Sequence, residues 1–109
     1  MEKMTIRFKD YGTHLGTRFK GACVRVQIIE QFNRCGRVEF DFAEVEAVSS
    51  SFADECFAKL IFTYEWDKIN HGTTFKNTSP YIRTIINNAY QERRRTRTHE
   101  SVNRSLLVF

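Results

Sequence analysis

The sequence predicts an α/β fold: a small, mostly parallel or mixed sheet with helices packed against it. Three observations carry this. Val38-Glu39-Phe40-Asp41-Phe42 alternates apolar and polar residues, the period of a half-buried strand. Phe52, Cys56, Leu60 and Tyr64 then recur every fourth residue, with Ala53, Phe57 and Ile61 in a second row beside them. That is the pattern of a helix with a wide buried face. Strand-like and helix-like segments alternate along the chain, which implies βαβ units.

The elements follow in order. Met4 to Phe8 alternates and reads as a first strand, and Asp10 to His14 as a turn. A helix is expected from about Arg18 to Phe32, with Thr17 as its N-cap. It has two apolar rows: Val24, Ile28 and Phe32, and Phe19, Ala22, Cys23, Val26 and Ile29. Periodicity alone leaves open which row faces the sheet. Gly36 suits a left-handed stop. The second strand spans Arg37 to Phe42.

Three serines, Ser49, Ser50 and Ser51, separate that strand from the second helix, which is expected to run to about Trp66. Ser51 is placed to cap it, and Asp54, three residues on, to close a capping box. Asp54 and Glu55 in the first turn would complement the helix dipole. Asn70-His71-Gly72 reads as a turn. Thr73 to Asn77 reads as a short edge strand. Ser79 caps a third helix with Pro80 in its first position, and Ile82, Ile85, Ile86 and Ala89 form its buried stripe.

At 109 residues the chain is one domain, able to bury a core without staples. No apolar run is long enough to span a bilayer, and the first residues lack the basic-then-apolar pattern of a secretory signal. Cys23, Cys35 and Cys56 are odd in number and lack metal-ligand spacing, so reduced structural thiols in a cytoplasmic protein are expected, with no metal and no cofactor. The formal charge is +4. Five arginines against two glutamates in residues 91–109 account for three of those four charges, so residues 1–90 are nearly neutral. The expected organisation is a folded domain over 1–93 and a basic segment over 94–109 that ends in the apolar Leu106-Leu107-Val108-Phe109. An apolar end must be covered, as a last strand, on another subunit or on a partner.

Several motifs together resemble one family. They are Leu15-Gly16-Thr17-Arg18, Gly21 and Arg25, Phe40-Asp41-Phe42, Val48-Ser49-Ser50-Ser51-Phe52-Ala53-Asp54-Glu55, and Phe75-x-Asn77-x-Ser79. Over about residues 5–93 the chain resembles the STAS-like family, small prokaryotic domains named for their similarity to anti-sigma-factor antagonists. The resemblance implies a sheet of about four strands. It also implies a regulatory, partner-switching role. In well-studied STAS proteins, the equivalent helix start carries Asp-Ser-Ser/Thr-Gly, and its second hydroxyl is phosphorylated by a kinase related to the histidine-kinase-like ATPases. That hydroxyl corresponds to Ser51. Ser49 stands where the aspartate would be and Phe52 where the glycine would be, so partner docking carries over more directly than phosphorylation.

The expected function is therefore a non-catalytic protein-interaction module. Ser51 is its candidate switch, and Ser49, Ser50, Phe52, Asp54, Glu55, Arg18 and Arg25 are its candidate docking residues. If Arg18 and Arg25 both reach the serine turn, they form an anion site able to take a phosphoserine. The alternative is a nucleic-acid-associated protein acting through Arg93, Arg94, Arg95 and Arg97, although no aromatic residues interleave them. A serine-turn enzyme is the weakest reading. Gly-x-Ser-x-Gly is absent, and His14, His71 and His99 sit in no hydrolase signature.

Overall fold

The computed structural model describes residues 4–107, with side chains described through residue 96. Strand β1 (Met4–Arg7) leads through a 3-10 turn (Phe8–Tyr11) into β2 (His14–Leu15) and helix α1 (Arg18–Cys35). Then come β3 (Val38–Asp41), β4 (Ala47–Val48), α2 (Ser50–Cys56), a 3-10 segment (Ala58–Phe62), α3 (Trp66–Gly72), β5 (Thr73–Lys76) and α4 (Pro80–Leu107). The expected α/β fold is present. Its strands divide into a parallel sheet ordered β1-β3-β5 and a separate parallel pair, β2 and β4. Parallel neighbours need long crossovers, and α1 supplies the one between β1 and β3. Ile6, Phe40 and Phe75 lie opposite one another across the three strands.

The core is largely aromatic. Phe8 stacks on Phe42 at 4.4 Å, and Phe57 meets Phe40 edge-on at 5.0 Å. Such pairs add about 0.5–1.5 kcal/mol each beyond their burial. Phe52, Phe57, Leu60 and Ile61 are all buried. On α1 the row of Gly21, Val24, Ile28 and Phe32 is buried, while Phe19, Cys23 and Val26 face solvent. On α4 the stripe is Ile82, Ile86 and Tyr90, with Ile85 and Ala89 at its margin.

The local signals at both ends of α1 and at the start of α4 are where the sequence places them. The Thr17 hydroxyl accepts from the Lys20 amide at 3.1 Å, and the Ser79 hydroxyl from the Ile82 amide at 3.2 Å. Gly36 takes φ 71°, and its N–H returns to the Phe32 carbonyl at 2.7 Å.

The second helix differs from expectation. It is not continuous to Trp66 but ends at Cys56 and tightens into the 3-10 segment. Cys56, Phe57 and Ala58 are all fully buried, and consecutive residues on an α-helix cannot all face one side. The tighter winding serves a chain that is surrounded by core. Asn70-His71-Gly72 closes a helix, α3, rather than forming a free turn. Only Ile69 and Gly72 of that helix are buried, and no side chain caps it, so its sequence signal is weak. The strands β2 and β4, two residues each, are too short for any periodicity.

The basic segment, readable from sequence as a solvated helix end or a loose tail, is helical. α4 continues as helix through Leu107, so Leu106 and Leu107 form no strand. The side chains of Arg97, His99 and Leu106 to Phe109 lie outside the described residues. No helix among the described residues is long and apolar enough to cross a membrane.

Gly21 sets how closely α1 approaches α2. A Cβ there would stand 3.0 Å from the Phe52 carbonyl oxygen, 3.0 Å from Glu55 Cβ and 3.3 Å from the Cys56 nitrogen. Two of these are backbone atoms that cannot swing aside. Gly21→Ala should therefore cost about 1–3 kcal/mol as an overpacking change, despite alanine's better helix propensity. Urea melts of the two proteins check this. A stabilised variant would show that the helices separate without cost.

Candidate functional site

β4 delivers the chain to the serine turn. Its Val48 lies opposite Leu15 of β2, and the Ser49 amide then donates to the Leu15 carbonyl at 2.9 Å. Ser49 has extended backbone, φ −83° and ψ 160°, and its hydroxyl accepts from the Phe52 amide at 3.0 Å. The same hydroxyl donates to the Gly16 carbonyl at 3.0 Å. Ser49, not Ser51, is thus the cap. Because Leu15 and Gly16 hold Ser49 in place, the helix starts two residues earlier than expected. Ser50 and Ser51 become its first two residues, and both are exposed.

This shift also moves the carboxylates. Asp54 closes no capping box, since α2 has no acidic residue in its first turn. It reaches instead across to two other helices. Arg93 of α4 grips it with Nε at 2.6 Å and Nη2 at 2.7 Å, and Arg18 of α1 adds Nη1 at 2.8 Å. Glu55, the one charged side chain buried among the described residues, faces α1. Arg25 Nη1 donates to its Oε2 at 2.9 Å and also to its backbone carbonyl. Lys59 meets its Oε1 at 3.0 Å, and Arg18 reaches Oε1 at 3.3 Å.

The hydrogen bonds from Arg93, and then those from Arg18, hold the Asp54 carboxyl down at about 2 against its burial. Burial alone would raise the Glu55 carboxyl. The hydrogen bonds from Arg25, Lys59 and Arg18 outweigh it and hold that group also at about 2.

Between the first turn of α2 and the flank of α4 lies an open cleft of about 460 Å³. Arg18, Ser50, Ser51, Asp54, Asn88 and Arg93 are among its walls. The sequence-predicted residues fall unevenly around it. Ser50, Ser51, Arg18 and Asp54 line it. Phe52 is wholly buried in the core and offers a partner no surface. Arg25 is turned to Glu55, so Arg18 and Arg25 do not close a joint anion site at the serines.

Three arginines of α4, Arg93, Arg94 and Arg95, are also engaged within the fold. Arg93 belongs to Asp54, Arg95 Nη2 pairs with Glu92 at 2.5 Å, and Arg94 lies 4.3 Å from the centre of the Trp66 ring. Asp41 of β3 lies away from this site. Its Oδ1 accepts from the Ala43 amide and the Asn77 side chain. Among the described residues no group of three potential ligands could hold a metal. Arg93 and Asn88 were missed as walls of the site. They lie more than thirty residues from the serines, and no local pattern joins them.

The family described as STAS-like domain of unknown function matches residues 20–83, more than half of the chain. The chain belongs to that family. The match takes this STAS-like domain from α1, through the serine turn and both carboxylates, to the start of α4. Arg18 and Arg93, which clasp Asp54 from either side, fall outside it. No curated protein and no solved structure matches the chain.

Two outcomes follow from this geometry. Ser49→Ala should cost about 0.5–2 kcal/mol through the lost cap, whereas Ser51→Ala, at an exposed position without a capping role, should stay within about 0.5 kcal/mol. Chemical denaturation of both variants checks the order, and a reversed order would put the cap back at Ser51. Acid is the second lever. Both carboxyls titrate lower in the folded protein than their ordinary 3.8 and 4.5, so the unfolded chain takes up protons first. The stability they contribute is complete above about pH 5 and drains away as the pH falls from there toward 2. Asp54→Asn should flatten that part of the stability–pH curve.

Proposed function

We propose that this STAS-like domain is a non-catalytic regulatory module that docks a protein partner over the exposed start of α2. The state of Ser51 controls that docking. One observation carries the reading: Ser49 does the capping, so the hydroxyl of Ser51 faces solvent with no role in holding the helix. A group added there leaves the fold intact and changes only the surface. The partner class is a histidine-kinase-like ATPase, by the resemblance of the Ser49-to-Glu55 run to the partner-switching proteins. The outer row of α1 supports a docking role beside it. Phe19 is 81% exposed, in the first turn of the helix whose start bonds the serine turn. The location is cytoplasmic in this reading.

The nucleic-acid alternative draws little from the site, because Arg93, Arg94 and Arg95 already have partners inside the domain. The non-catalytic reading is supported by the hydrogen bonds of His14 and His71, which go to Thr13 and to the Asp67 carbonyl rather than to a serine of the turn.

Phosphorylation of Ser51 would add about −1.5 to −2 charges to the docking face. The test is capture from host lysate with the wild type, Ser51→Ala and Ser51→Glu. Ser51→Glu should keep its melting temperature and lose an ATPase-type partner that Ser51→Ala retains. If all three capture the same proteins, and no phosphorylated species is seen by intact mass after incubation with the captured kinase, the switch is absent.

A further inference from the structure

A smaller cavity, of about 80 Å³, lies between α3, β5 and a second face of α4. It shares no residue with the cleft at the serine turn. Trp66, Phe75 and Tyr90 are its aromatic walls, and Arg83, Asn70 and Asn87 are polar ones. Tyr90 is 5% exposed, and its buried hydroxyl has no hydrogen-bond partner among the described residues. Buried hydroxyls are nearly always bonded to something, so this one calls for a partner. A helical side chain leans over the turn that precedes it, which carries the Tyr90 ring toward Asn87 and Arg83 on the same row of α4. Burial pushes the Tyr90 phenol up, so the group stays protonated and can donate.

Arg83 adds a charge that nothing in the cavity balances. Its guanidinium stacks on the Phe75 ring, 3.7 Å from the ring centre. Stacking occupies the face of the guanidinium and leaves its in-plane N–H groups to donate. No carboxylate pairs with it among the described residues, and it is the one charged residue among the cavity walls. Glu65 and Asp67, the acidic residues nearest Trp66 along the chain, are exposed and are not among those walls.

We infer that the cavity between α3, β5 and α4 is a binding site for a small carboxylate, which accepts from the Tyr90 hydroxyl and from the in-plane edge of Arg83, with the amides of Asn70 and Asn87 beside it. A carboxylate is flat, as the space between aromatic walls requires, and it matches a guanidinium edge with two parallel hydrogen bonds. Its single charge equals that of Arg83. The volume sets an upper size: at about 30 Å³ per water, the cavity takes two or three waters or one acetate-sized group. The carboxylate has two sources, a free small molecule or an acidic side chain of another protein. The site does not rest on the docking role of Ser51.

The experiment titrates the full-length protein with sodium acetate, against sodium chloride at matched ionic strength, and follows amide, Trp66 indole N–H and arginine Nε–H resonances by NMR. Saturable shifts should appear at Asn70, Asn87, the Trp66 indole and the Arg83 Nε–H with acetate and not with chloride. Acetate should also raise the melting temperature of the wild type by mass action. Tyr90→Phe and Arg83→Gln should each weaken binding about tenfold or more, the loss of one hydrogen bond to a charged group. Tyr90→Phe removes a hydroxyl that bonds nothing in the protein, and Arg83 is exposed, so thermal melts should show both variants folded.

The neutral-capped glutamate Ac-Glu-NH2 separates the sources. If it binds at least as tightly as acetate, the cavity takes an acidic side chain. If acetate binds and Ac-Glu-NH2 does not, the ligand is a free small molecule. Shifts that are absent or do not saturate would leave the hydroxyl to buried water only and overturn the site. Acetate binding that is lost in Arg83→Gln but unchanged in Tyr90→Phe would overturn it as well, since the anion would then sit on the surface and not in the cavity.

Discussion

The clasp between α2 and its two flanking helices is the interaction on which the site depends. Asp54 and Glu55 are neighbours in sequence, yet they face different ways and hold different helices. Asp54 joins α2 to Arg93 of α4 and Arg18 of α1, and Glu55 joins it to Arg25 of α1. An ion pair in a half-buried setting does not stabilise a fold cheaply, because both charges lose water. Its larger consequence is geometric. Removing one member leaves a charge stranded, which typically costs about 3–5 kcal/mol when the pair is buried. The clasp therefore fixes one arrangement of three helices against slippage, and the cleft walls are set by it.

That arrangement also explains why the acidic pair beside the serines is not a negative patch. Read along the chain, Asp54 and Glu55 after three serines imply repulsion of a phosphate. In the fold both charges are spent on arginines and a lysine, and the cations outnumber them. Local sequence gives the sign of each charge but not the sign of the field, because the compensating arginines arrive from 30 to 39 positions away on other helices. Electrostatics near the turn is a property of the tertiary fold.

What was legible in the sequence was local. Thr17, Ser79 and Gly36 act as read, since a cap or a left-handed stop involves only a few neighbouring residues. The parallel pairing of β1 with β3, and β5 at the edge, followed from alternation and from the helices between strands. The serine turn was misread because three consecutive serines are equivalent as caps. The choice among them is made by the Leu15 and Gly16 carbonyls, which bond Ser49 across 33 and 34 positions. The buried face of α1 was undecided for a similar reason: both rows are apolar, and only the approach of α2 at Gly21 selects one. The break after Cys56 was hidden because a core-filled segment keeps its apolar residues whether it winds as α or 3-10.

The position of the cap finally decides what Phe52 does. In the pattern of the partner-switching proteins a glycine stands there, and a bulky ring beside Ser51 suggests an obstructed hydroxyl. With Ser49 as N-cap, residues 50 and 51 take the outer side of the first turn, and residues 52 and 53 take the inner side. The Phe52 ring enters the aromatic core, 6.4 Å from Phe8 and 6.4 Å from Phe57, and none of it is exposed. The departure from glycine thus adds apolar area to the core and leaves the face of Ser51 clear. Had Ser51 been the cap, the helix would have been rotated by two residues, about 200°. Phe52 would then have shared the exposed turn with the hydroxyl. A one-residue difference in family pattern is therefore compatible with an accessible serine, provided the long-range bonds to Leu15 and Gly16 keep the helix in its register.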